Sequence, residues 1–227
     1  MGINRYSEDG FEYVSGDDIL AVAKDGKGLL IAGKVDIVPQ PKQRPRFSTF
    51  RGHPHAYTPA KTLNYEKELH AWLIARLGAK WPAITGAISG FTAYVMPRPK
   101  SHKKSEVFVY TKPDIDNLEK CWYDALLLEP KLIEEDSRVV HSTATKVYEN
   151  DKMSPSIRFV VLSTDRICAV APDGMGTALG LSYGIAVVDP ADAEAQGRYD
   201  CCIAWSGETP CTGIPVVGTF PPRLILV

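Results

Sequence analysis

No apolar run in this sequence approaches the roughly 20 residues that a membrane-crossing helix needs, which excludes a helical span. The first 30 residues also lack the cationic start and apolar stretch of a secretory leader. They are polar and acidic instead, with Glu8, Asp9, Glu12, Asp17 and Asp18, so a cytoplasmic location is expected. Cysteine is scarce and odd in number: Cys121, Cys168, Cys201, Cys202 and Cys211. The odd count and a reducing compartment argue against a disulfide framework, and no CxxC pair occurs. Cys201, Cys202 and Cys211 lie near one another, but every histidine is far upstream, so free thiols are expected rather than a zinc site.

Net charge is also nearly missing, at −1 over 227 residues, but its distribution is uneven. Residues 166–227 contain no lysine and carry 3 cations against 6 acids, whereas residues 1–165 carry 23 against 21. A polyanionic partner would meet the first part, not the second. What is plentiful is apolar residue content, 44%, enough for a packed core.

Residues 1–28 are punctuated by Gly10, Gly16, Gly26 and Gly28 and read as an extension without a site. A strand is expected over 29–38 and a proline-marked loop over 39–61. Tyr65, Leu69, Trp72, Leu73 and Leu77 recur at helical spacing and predict a helix over 62–80, with Thr62 as its cap. A second strand follows at 87–96, then a basic loop, then a helix over 115–128 with Leu118, Cys121, Trp122, Ala125 and Leu126 inward. Residues 138–149 and 156–163 read as a closing hairpin. The order predicts an α/β (α+β) fold, a mixed β-sheet with helices packed on it, over 29–163. After Thr164 small residues and prolines dominate, and 164–227 reads as an appendage, β-rich or simply packed, of unknown role.

The chemistry concentrates in KPDIDNLEK, residues 112–120. Asp114 and Asp116 are two apart, which in an extended stretch puts both carboxylates on one face. Paired hard oxygens suit Mg²⁺, with water and phosphate completing its shell. Lys120 lies four residues after Asp116, where a cation can stabilise charge on a phosphate or orient the attacking water. The plain alternative is a solvated helix start with capping aspartates and a surface ion pair. Asp136 stands just before an alternating stretch, from which a third carboxylate could join the first two as a phosphodiesterase site. Glu134 and Glu135 read as a solvated acidic turn.

Two basic segments flank this region: Lys42, Arg44 and Arg46 with Arg51, and Arg98, Lys100, His102, Lys103 and Lys104. On loops, such cations can reach a DNA backbone, or merely face solvent. Phe47, Phe50 and Tyr57 could stack on unpaired bases or pack at loop ends. His53 and His55 form no zinc pattern.

These residues together resemble the RusA-type crossover junction endodeoxyribonucleases. The likeness runs from Pro39–Phe47 (PQPKQRPRF) through AYTP at 56–59, the YE at 65–66, MPRPKSHKK at 96–104 and KPDIDNLEK to the EEDSRVV stretch. It implies a homodimer with a mixed α/β fold that binds four-way (Holliday) DNA junctions and cuts them symmetrically with Mg²⁺ or Mn²⁺. Carried over by motif, Asp114, Asp116 and Asp136 would be the catalytic acids and metal ligands, Lys120 the functional lysine, and Asn117 an orienting residue. No nucleotide cofactor or membrane partner is implied. Two alternatives stay open: a nuclease for other branched DNA such as flaps and forks, and a DNA-binding module without activity.

Overall fold

A computed structural model describes residues 2–8, 10–50 and 53–165, with short strands beyond. Strands β1 (Asn4–Glu8), β2 (Phe11–Gly16), β3 (Ile19–Lys24) and β4 (Lys27–Val35) run as an antiparallel meander. A separate hairpin follows, β5 (Arg46–Phe50) and β6 (His53–Tyr57). Helix α1 (Ala60–Leu77), strand β7 (Ile88–Met96), helix α2 (Ile115–Leu126), and strands β8 (Val139–Tyr148) and β9 (Ser156–Ser163) complete this part. The main sheet has the order β1-β2-β3-β4-β9-β7-β8, and only β7 and β8 run parallel. Downstream, β10 (Ile167–Val170), β11 (Val187–Val188), β12 (Cys201–Ala204), β13 (Val216–Thr219) and β14 (Arg223–Ile225) pair in the order β11-β10-β12-β13-β14. The cysteine side chains of that region, like Arg51 and the side chain of Phe50, lie outside the described residues.

The mixed sheet with two helices agrees with the expected α+β class. Residues 138–149 and 156–163 do supply strands, but not a hairpin: β7 lies between β8 and β9. Burial explains the order. Strand β9 is apolar on both faces and is buried along most of its length, so it belongs inside the sheet, between β4 and β7. Strand β8 reads VVHSTATKVY, is largely half-exposed, and takes the edge. Parallel pairing of β7 with β8 then requires a crossover, which α2 provides.

Both helices bury the faces that their spacing predicted. Tyr65, Leu69, Leu73 and Leu77 of α1 meet Leu118, Cys121, Trp122 and Leu126 of α2, with Ile31, Tyr94, Ile157 and Phe159 of the sheet beneath. Helix α1 begins two residues before its expected start, and Thr62 does not cap it. Its Oγ1 instead accepts the backbone N–H of Gln43 at 3.1 Å, which fixes the loop ahead of the hairpin. The helix stops at Gly78, whose φ of 88° is costly for any other residue and whose N–H returns to Ile74 O.

The N-terminal stretch read as an extension supplies β1–β3, and Val14, Ile19, Ala21 and Ala23 join the core. Arg5 donates to the carbonyls of Leu77 (2.6 Å) and Arg76 (2.5 Å), a cation placed on the negative end of α1. Arg76 in turn holds the Asp18 carboxylate.

The crossover is closely packed at one point. A Cβ on Gly90 of β7 would stand 2.0 Å from the Tyr123 hydroxyl of α2. Gly90→Ala is expected to destabilise the protein by about 1–3 kcal/mol through overpacking. Adding Tyr123→Phe, which removes the obstructing oxygen, should recover part of the loss. Urea unfolding of the two single variants and the double variant measures this, and strict additivity would show that the contact does not set the cost.

Candidate metal and DNA site

Helix α2 places the two leading carboxylates on consecutive backbone conformations rather than on one strand. Asp114 is its N-cap residue, in extended geometry with no side-chain capping bond, and Asp116 lies within the first turn. Both are exposed at the start of the helix. Lys120, one turn on, donates from Nζ to Asp116 Oδ2 at 3.1 Å. That hydrogen bond, aided by the lysine's charge and by first-turn N–H groups, holds the Asp116 carboxyl below the usual carboxylate range. Asp114, Asp116 and Lys120 therefore stand together at one end of α2.

Asp136 is placed elsewhere. It opens a short 3-10 turn, Asp136–Arg138, that leads into β8. Three contacts give the direction of β8 relative to α2. Lys146 Nζ donates to the carbonyls of Thr111 (2.9 Å) and Pro113 (2.6 Å), ahead of the helix. Ser142 meets Glu119 and Tyr123 in its middle. Leu132 N–H binds Leu126 O at its end. Strand β8 thus runs back along the helix, and Asp136, before its start, belongs to the far end. A 12-residue helix is roughly 18 Å long, so the third acid does not reach the first two within one chain. Consistently, no group of three His, Cys, Asp or Glu among the described residues is placed to hold a metal ion. Glu134 pairs with Arg138 at 3.1 Å in an exposed turn, as expected of a solvated acidic loop.

The cations divide into two groups. Arg44, Arg46, Lys100, Lys103 and Lys104 are exposed, and Lys104 has only a 3.8 Å contact with the equally exposed Asp151. Two others have structural partners. The Lys42 ammonium is half-buried against Asp124 of α2, and its backbone N–H donates to Asn117 O at 2.8 Å. Arg98 donates to the carbonyls of Lys103 (2.5 Å), Glu106 (2.8 Å) and Glu149 (3.1 Å), folding the 98–106 loop over Tyr148. The Lys42 contact uses the backbone carbonyl of Asn117 and not its side chain. Lys146 and Ser142 were not singled out in the sequence. Only the packing of β8 beside α2 shows that Lys146 meets the segment ahead of the helix and Ser142 its middle.

Beneath Lys42 lies a buried set of titratable groups. Glu66 is 5% exposed, and Cys121 Sγ stands 3.9 Å from its Oε1. Burial first, then the charge of Asp124, pushes the Glu66 carboxyl up to about 7. Burial and Glu66 push the Cys121 thiol up to about 12, so it is inert. Burial disfavours the Lys42 charge, but Asp124 outweighs this and raises its pKa.

The Glu66 shift has a definite sign. The folded state holds this proton more tightly than the unfolded chain, where the pKa is about 4.3. Its contribution to stability is intact below the unfolded value and declines as pH rises to about 7. Glu66→Gln should flatten this decline, so that the variant gains on the parent between pH 5 and 8. Urea midpoints across that range test it, and parallel pH profiles would refute the assignment.

A family model described as endodeoxyribonuclease RusA matches residues 36–157, spanning β5 to β8 and both helices. No curated protein matches the chain.

Proposed function

Since the chain belongs to the RusA endodeoxyribonuclease family, we propose that it cuts branched DNA, four-way junctions in particular, by metal-dependent phosphodiester hydrolysis. The observation that carries this reading is the first turn of α2: two exposed carboxylates, one paired with a lysine, between loops of exposed cations.

The donor set fits Mg²⁺ or Mn²⁺. Asp114 and Asp116 offer hard anionic oxygens, and the lowered Asp116 pKa keeps that group ionised. When bound, such a cation lowers the pKa of water and neutralises phosphate charge. Lys120 stands within hydrogen-bond reach of Asp116, so its ammonium can turn to a phosphate oxygen and stabilise charge that grows during cleavage. Lys146 holds the carbonyls of Thr111 and Pro113 and so fixes the backbone that presents Asp114. Arg44, Arg46, Lys100, Lys103 and Lys104 bind the DNA backbone, reading its shape and not its bases.

Within one chain the site has two acids. Asp136 can complete it only if a second copy carries its own Asp136 to the α2 start, which a homodimer would permit. Such a dimer also supplies two sites for paired cuts in a symmetric junction. Flaps and forks remain the competing substrates within the same chemistry.

Asp114→Asn and Asp116→Asn should each abolish cleavage of a synthetic four-way junction in Mg²⁺, while gel-shift affinity holds or rises, because a repelling carboxylate is neutralised. Lys120→Ala should slow cutting on the order of 10²-fold. Retained cleavage in either aspartate variant would remove the proposed site. Junction binding without cleavage by the parent protein would favour a DNA-binding module.

A further inference from the structure

Hairpin β5–β6 is a structural outlier in this protein. Both its strands form a sheet of their own, and each side chain described in it is exposed. A two-stranded ribbon with both faces in water is marginal by itself. Phe47 is nonetheless 77% exposed there, the highest value among the exposed large hydrophobic residues described. The register pairs Phe47 with Ala56 and Arg46 with Tyr57. Phe47 therefore projects from one face, while Arg46 and Tyr57 occupy the other.

The stem is fixed even though the strands are free. Lys42 is held by Asp124 and Asn117, and Gln43 by Thr62, so the hairpin springs from a segment bound to both helices. Its electrostatics are one-sided. Between Asp36 and Glu66 the chain has no acidic residue and five cations, Lys42, Arg44, Arg46, Arg51 and Lys61. A bare aromatic in a stretch that repels cations and attracts polyanions has a clear chemical complement, a base whose ring face is uncovered and whose phosphates are close by. Paired duplex offers no such face, but a branch point does.

We propose that β5–β6 is a stacking arm that enters the branch point, with Phe47 against an unpaired base and Arg44 and Arg46 on the adjoining phosphates. The assignment rests on branched DNA being the substrate. It adds a group that opens the branch, distinct from the carboxylates that cut.

The test uses a four-way junction with 2-aminopurine at the branch point, and a matched linear duplex with the same base paired. Binding is measured without cutting, in an Asp116→Asn background, for Phe47, Phe47→Ala and Phe47→Tyr. Phe47 is so exposed that its removal leaves the core intact. The expected result is a rise in fluorescence on the junction that Phe47→Ala loses and Phe47→Tyr restores. Junction affinity should fall about tenfold in Phe47→Ala, or ~1.4 kcal/mol, with duplex binding unchanged within twofold. A fluorescence rise of the same size with Phe47→Ala overturns the arm. So does an absent rise with a protein whose Asp116 form cuts the junction, and in that case the nuclease reading stands. If the Asp116 form cuts no branched DNA, the nuclease reading falls, and a Phe47-dependent rise would still support the arm.

Discussion

Parallel pairing of β7 with β8 is the constraint from which the rest follows. Two parallel neighbours cannot be joined by a turn, so the chain must cross the sheet between them. Helix α2 makes that crossing and buries Leu118, Trp122 and Leu126 against the sheet. Its first turn is then left at the sheet's end, outside the core, with Asp114 and Asp116 in solvent. The carboxylates are exposed because the crossover helix starts beyond the edge of the packed core.

The periodic parts of this architecture were legible in the sequence. Leu69, Leu73 and Leu77, or Leu118, Trp122 and Leu126, repeat at helical spacing because burial selects one face of a helix. The pair of Asp116 and Lys120 was legible for the same reason, as neighbours one turn apart. Strand order was not. Strands β8 and β9 are adjacent in sequence, and only the difference between a polar edge and an apolar centre separates them in space. Hairpin β5–β6 was hidden behind prolines and a glycine that suggest irregular chain. Pro54 fits because the hairpin has two edges and no centre. The distance of Asp136 from the other acids was also invisible, since it depends on which way β8 runs past α2.

Long-range polar pairs were the other blind spot. Lys42 and Asp124 are 82 residues apart, and no local pattern connects them. Nor does the sequence mark Arg98 as a residue that satisfies three carbonyls of its own neighbourhood. Both belong to basic runs whose other members are exposed. Within one run, then, some cations hold the loop and others are left to meet a ligand. Glu66 and Cys121 lie under the first of these ties, where burial favours the protonated form of each, so the loop rests on a layer less charged than an exposed carboxylate would make it.

The order of strands gives the main sheet two unlike borders. Strand β8, beside α2, forms one, and β1 forms the other, six strand spacings away, or roughly 29 Å. Strands β1–β3 precede residues 36–157, the part shared with the family, and are fastened by Arg5 and Arg76 to the end of α1. These strands lie toward the border remote from Asp114 and Asp116. The packing of the outer strands and the exposed start of α2 therefore lie on opposite flanks of one sheet, so a change at β1 leaves the α2 flank unaltered.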